Sequence, residues 1–331
     1  MQGSLMLDLQ GTWLTAHERA ILRQPEVCGV ILFARNVEHP EQVAELCRSI
    51  KAVRNDLLIS VDQEGGRVRR LRRGFSALPS MQAIAQSSEP QKNAQLCGWL
   101  MAAEVLAVGI DFSFAPVLDL DYGHNTVIGN RSFGAQVAQV TSLARAFMQG
   151  MAKAGMANVG KHFPGHGWVE ADSHFAVPID RRSLSAIEKT DLRVFAELAQ
   201  EMTAVMPAHV IYSEIDELPA GFSSFWLQQV LREQLGFTGL IFSDDLCMAG
   251  AHVVGDMAAR TLAAISAGCD IALVCNDPAA AEQALVTMQT EKIQPCAHTS
   301  IMLGKNRLQK EFQSQPEFQL ARRAISLLAA Q

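Results

Sequence analysis

Apolar positions along the chain gather into eight short runs: Leu5–Leu9, Gly29–Phe33, Leu57–Val61, Asp111–Val117, Ala157–Gly160, Ala204–Pro207, Gly239–Ser243 and Ile271–Cys275. Most are followed by a polar loop and then by a stretch of helical periodicity, so the pattern predicts strands alternating with helices. Thr15-Ala16-His17-Glu18 and Ser185-Ala186-Ile187-Glu188 each place a hydroxyl three residues before a glutamate, the signature of a capping box at a helix start. Alternation of this kind implies a parallel sheet covered by helices.

Eight strand and helix units predict an α/β fold of the (β/α)8 TIM-barrel type, whose usual length is about 250 residues before insertions. A doubly wound sheet is the rival, but no GxGxxG or GxxxxGK[ST] follows the first run. Low-complexity segments, linkers rich in Pro, Gly or Ser and short-period repeats are absent from the sequence. The expected organisation is one barrel domain over 1–331, with C-terminal helices from about 277 to 331 packed on its outside, including amphipathic Pro316–Ala330.

The 331 residues are 49% hydrophobic and 19% charged, enough apolar surface to exclude disorder, collagen and coiled coil. Twenty-eight Lys and Arg against 34 Asp and Glu leave a net charge of −6, which argues against nucleic acid or an anionic membrane as partner. Seven cysteines form an odd set without a CxxC, so they read as reduced thiols. The N-terminal residues lack a basic segment followed by a long apolar stretch, and no run of about 18 apolar residues occurs, so a cytoplasmic protein is expected.

Polar residues with chemical potential follow the ends of the runs, where barrel enzymes keep their sites. After the third come Asp62-Gln63-Glu64-Gly65-Gly66 and a basic cluster that includes Arg70; after the fourth, Asp119, Asp121 and Asn130-Arg131-Ser132. After the fifth come Lys161-His162-Phe163-Pro164-Gly165-His166-Gly167 and Asp172-Ser173-His174; after the sixth, His209; after the seventh, Ser243-Asp244-Asp245. Each has a plain structural alternative: a surface ion-pair group, a turn, core histidines, or caps in the case of Asp119 and Asp121. Convergence of five strand ends on one cleft favours a site.

Four stretches, 61–68, 161–167, 172–174 and 242–246, resemble the single-domain bacterial β-N-acetylhexosaminidases of glycoside hydrolase family 3. The resemblance runs from about Leu7 to Cys275 and implies a barrel that removes terminal β-linked N-acetylglucosamine with retention, from cell-wall fragments being recycled. Retention needs a nucleophile and, about 5 Å away, an acid. The resemblance assigns Asp244 as nucleophile, His174 as acid and base, and Asp172 as the residue that orients His174. It assigns Asp62, Arg70, Arg131, Lys161 and His162 to sugar binding, and it implies no metal and no cofactor. Glu64 and His166 are expected to shape the loops or support the residues that bind. Cys247 and Ala249 stand where the family pattern has Ser and Glu.

Residue chemistry supports these assignments in part. Neighbouring side chains on an extended strand point to opposite sides, so only one of Asp244 and Asp245 should face a sugar. An imidazole titrates near pH 6.5, and an adjacent carboxylate favours its proton-donating form. Gly165 and Gly167 are expected to lend mobility to the loop that carries His174. A monomer acting on a small sugar is expected. Three other readings stay open on residues alone: a zinc hydrolase using His162, His166, Asp172, His174, Asp244 and Asp245, a phosphorylase in which phosphate replaces water, and a barrel that binds amino sugars without turnover.

Overall fold

The computed structural model describes residues 3–169, 177–305 and 309–328. Eight parallel strands form its centre: β1 Leu5–Asp8, β2 Val27–Leu32, β3 Leu58–Val61, β4 Phe112–Ser113, β5 Val159–Phe163, β6 Ala204–Pro207, β7 Leu240–Asp245 and β8 Ile271–Val274. Each falls within or across one of the eight apolar runs. The strands pair in the order β4-β3-β2-β1-β8-β7-β6-β5. A parallel bridge between Val117 and Lys161 joins the chain after β4 to β5, so the sheet closes on itself as a (β/α)8 barrel.

The fourth run covers 111–117, but only Phe112–Ser113 is regular strand. Pro116 has no N–H to give to the ladder. The seam is carried instead by carbonyls and by the amide beyond the proline, through Val159 N to Ala115 O at 2.8 Å and Leu118 N to Lys161 O at 2.6 Å. Inside the barrel, Phe112, Phe114 and Phe242 meet with ring centroids 5.1, 5.6 and 5.3 Å apart, filling the space below the site with aromatic surface.

Helices cover the outside. Pro40–Val53 buries Val43, Leu46, Cys47 and Ile50, a stripe at helical spacing. Pro90–Ala107 is buried without a break from Cys97 to Leu106, because Val137–Ala154 packs on it from one side and the C-terminal helix Pro316–Leu328 also contacts it. The capping box at Thr15 and Glu18 forms, with Glu18 N 3.1 Å from Thr15 Oγ1 and Thr15 N 2.7 Å from Glu18 Oε2. The one read at Ser185 does not: the helix Leu184–Lys189 is capped by Ser183, two residues earlier. Asp180 Oδ1 accepts the Arg182 N–H at 2.9 Å, and that local turn starts the helix early. Among the described residues no helix is long and apolar enough to cross a membrane.

Candidate active site

Loops leaving the C-terminal strand ends enclose a cleft of about 380 Å³, and Asp62, Arg70, Arg131, Lys161, His162 and Asp244 all line it. Asp172 and His174 lie outside the described residues. The hairpin after β3 pairs Gln63–Gly65 with Val68–Arg69, and the buried Gln63 side chain folds it. Its Oε1 accepts from Arg70 N at 2.9 Å and Leu71 N at 3.1 Å, while its Nε2 donates to Leu71 O at 3.0 Å. That clamp turns the chain back so that Arg70 reaches the cleft, where its guanidinium stands 3.7 Å from Asp62 Oδ2.

Glu64 sits at the centre of the charges. Its carboxylate accepts from Arg131 Nε and Nη2, each at 2.9 Å, and lies 2.7 Å from Lys161 Nζ, which also reaches Asp62 Oδ1 at 3.0 Å. Burial alone would raise the Glu64 carboxyl, but the charges of Arg131 and Lys161 outweigh it and hold the group well below the usual range. Burial likewise works against the cations, yet Glu64 and Asp62 keep Arg131 and Lys161 more firmly protonated than usual.

On β5, consecutive Lys161 and His162 both line the cleft, against strict strand alternation, because the pairing with β6 shifts register between Lys161 and Phe163. His162 Nδ1 lies 2.7 Å from Asp119 Oδ2, and Asp119 Oδ1 accepts the His166 N–H at 2.7 Å. Asn125 holds the same turn, donating to the His166 carbonyl at 2.7 Å. Burial, and after it the charge of His162, push His166 down to about 4.

The two carboxylates ending β7 also escape alternation: both line the cleft. Between Phe242 and Asp245 the strand advances three residues while β8 advances two, a bulge that re-aims its end. Their surroundings differ. Asp245 Oδ1 accepts the N–H groups of Cys247 at 2.9 Å and Cys275 at 3.0 Å. Burial, with the charges of Asp244 and Asp8, pushes Asp245 up to about 7 against those two bonds. The Asp244 carboxylate accepts the Asp245 N–H at 2.8 Å, and among the described residues no side chain donates a hydrogen bond to that carboxylate. Burial would raise its carboxyl too, but His209, His162, the Asp245 N–H and Lys161 together bring it below the usual value.

Residues 6–302 match the Glycosyl hydrolase family 3 N terminal domain. Over 318 residues the chain is 58% identical to the β-hexosaminidase of Pseudomonas aeruginosa, covering 96% of each. Native NagZ from Neisseria gonorrhoeae superposes with a TM-score of 0.91 at 41% identity, over 99% of this chain and 98% of that one. The same Neisseria protein in complex with N-trifluoroacetyl-D-glucosamine gives a TM-score of 0.91 and 41% identity over the same shares. The chain belongs to glycosyl hydrolase family 3. It is an enzyme of that family, with the barrel and cleft placed as its strand ends predicted.

Within this family member, four residues carry more than their sequence positions indicated. Glu64 is a buried hub for two cations. Asp119 is fully buried and ties together the two histidines of the 161–167 stretch. Asn125 clamps His166. His209 stacks on Phe222 at 5.3 Å between centroids, its Nε2 3.0 Å from the Asp245 carbonyl and its buried Nδ1 without a hydrogen-bond partner. Asp119 and His209 stood at strand ends, which was the available signal. Gly165 and Gly167 have a different reason from mobility. Gly165 has φ of 144° and a Cβ there would stand 2.4 Å from that of Asp191; a Cβ on Gly167 would stand 1.7 Å from the Leu120 carbonyl oxygen. Among the described residues no group of three His, Cys, Asp or Glu is arranged to hold a metal ion.

Proposed function

We propose that the protein is an exo-acting, retaining β-N-acetylglucosaminidase. It removes terminal β-linked N-acetylglucosamine from muropeptide fragments of the cell wall, through a covalent glycosyl-Asp244 intermediate. The observation that carries this reading is the inequality of the four cleft carboxylates. Glu64 is neutralised by Arg131 and Lys161, Asp62 is paired with Lys161 and Arg70, and Asp245 is engaged by two backbone N–H groups. Asp244 is left with an ionised oxygen free to attack an anomeric carbon.

In this mechanism Asp62 accepts hydroxyl hydrogen bonds from the non-reducing sugar while Arg70, Arg131 and Lys161 donate to its oxygens, and His162 completes the contacts. A ring held at its far hydroxyls by a wall of ion pairs leaves no room for a further sugar, which accounts for exo action. Asp244 displaces the leaving group as His174 protonates the departing oxygen; His174 then deprotonates the water that releases the sugar with net retention. Asp172 orients His174. Support for the amino sugar comes from the relatives: a Neisseria NagZ was solved with N-trifluoroacetyl-D-glucosamine. The whole chain acts as one catalytic domain, a reading supported by one continuous core cluster running from Leu5 to Leu328, and the proposed active form is a monomer. Seven cysteines held as thiols rather than as disulfides support a cytoplasmic setting.

The test is hydrolysis of 4-nitrophenyl N-acetyl-β-glucosaminide beside the matching β-glucoside, using wild type, Asp244→Asn, Asp245→Asn and His174→Ala. Cleavage of the acetamido substrate is expected, with Asp244→Asn inactive and Asp245→Asn less affected. His174→Ala suffers least on this activated leaving group and more on an unactivated one. An active Asp244→Asn, or a leaving-group-dependent loss in Asp245→Asn instead of His174→Ala, overturns the assignment of roles.

A further inference from the structure

We infer that Asp119 is a positioning residue for the sugar-binding His162, holding it in the tautomer that carries its proton on Nδ1 and presents Nε2 to the cleft. The inference rests on the proposed reading of the cleft for its consequence, but not for its geometry. Asp119 is 0% exposed and follows Leu118, whose N–H closes the barrel seam on the Lys161 carbonyl. Its own carbonyl is fixed by Ser132 Oγ at 2.6 Å. The backbone that carries the carboxylate is therefore fixed on both sides, against the barrel seam and against Ser132.

The tautomer follows from counting donors. Both oxygens of Asp119 face the His162 N–H, at 3.2 and 3.3 Å, and Oδ1 also takes the His166 N–H at 2.7 Å. These are backbone donors, so the group they meet is an acceptor, and a carboxylate has no proton of its own to offer. Oδ2, 2.7 Å from His162 Nδ1, then requires the proton to sit on that nitrogen. Burial would raise the Asp119 carboxyl, but His162 and then His166 outweigh it and keep the group below the usual range. The other charged or titratable groups whose fields couple to His162 are Asp244, His166 and His209. The bond that His162 Nδ1 donates to Asp119 decides the tautomer, leaving Nε2 to accept from a sugar hydroxyl or, once protonated, to donate to a sugar oxygen.

Asp119→Asn tests this. The amide keeps one acceptor for the backbone, but where its N–H₂ faces His162 it drives the proton from Nδ1 to Nε2. Loss of an orienting partner of this kind costs about 10- to 100-fold, expected here in kcat/KM for 4-nitrophenyl N-acetyl-β-glucosaminide. The discriminating measurement is the cycle with His162→Gln. If Asp119 works through His162, adding Asp119→Asn to His162→Gln costs less than about 3-fold more. Losses that multiply overturn the inference, because a merely structural role is indifferent to the histidine. Should Asp119→Asn fail to fold, ¹⁵N spectra of wild type labelled in histidine, with His162→Gln for assignment, still decide. Neutral His162 must show a protonated Nδ1 and a bare Nε2; the reverse tautomer overturns the proposal. This readout needs no substrate, so wild type inactive on the acetamido sugar would refute the proposed function and leave the positioning result standing.

Discussion

Replacing Glu64 by Gln keeps the shape of a buried side chain and removes its charge. Three charge-assisted contacts are lost or weakened: Arg131 Nε and Nη2 at 2.9 Å each and Lys161 Nζ at 2.7 Å. Breaking one partner of a buried ion pair costs about 3–5 kcal/mol. Asp62 stays 3.0 Å from Lys161 and partly compensates that cation, while Arg131 keeps the Val127 carbonyl at 3.1 Å. The lower end, about 3 kcal/mol, is therefore expected. With about 2.1 cal/mol/K per residue of unfolding entropy, a chain of 331 residues has roughly 0.7 kcal/mol/K, so the melting temperature falls by about 4 °C at pH 7. The pH dependence adds a sign. An acid held below its unfolded value of about 4.3 contributes its full stability above that value and loses it as pH falls. The gap between wild type and Glu64→Gln should thus be about 1 kcal/mol smaller at pH 3.5 than at pH 7. Calorimetric melts at the two pH values measure both effects. A melting temperature within 1 °C of wild type at pH 7, or a gap that widens on acidification, refutes the hub role of Glu64.

Asp245 has the opposite sign: its carboxyl is pushed up to about 7 from an unfolded value of about 3.9, so its contribution is fully present below about 3.9 and is lost as pH rises through 7. Asp245→Asn keeps an acceptor for the Cys247 and Cys275 amides, and its melting temperature should improve relative to wild type between pH 5 and pH 8; a constant difference would count against the burial argument. Gly167→Ala, with its methyl 1.7 Å from the Leu120 oxygen, should lose about 3 kcal/mol or roughly 4 °C, while Gly11→Ala, with nothing within 4 Å, should melt like wild type. Equal melting of these two alanine variants would refute close packing as the reason for glycine at 167.

The order of apolar runs was enough to place all eight strands, since a parallel strand buried on both faces writes its position into consecutive residues. Strand ends were equally legible: Asp62, Lys161, His162 and Asp244 sit where each run stops. What failed were inferences that assume ideal geometry. Alternation would have turned one of Asp244 and Asp245 away, and one of Lys161 and His162, but register shifts at both strand ends bring each pair to the cleft. A capping signal at Ser185 lost to an earlier turn at Asp180. The partnerships that set charge were invisible for a simpler reason. Glu64 meets Arg131 across 67 positions, Lys161 meets Asp62 across 99, and Asp119 meets His162 across 43. Periodicity is a local property and determined the barrel; which acid meets two cations, which histidine meets a carboxylate and how the two carboxylates ending β7 are partnered were decided only when closure of the sheet brought distant strand ends within about 3 Å, where hydrogen bonds and Coulomb forces act.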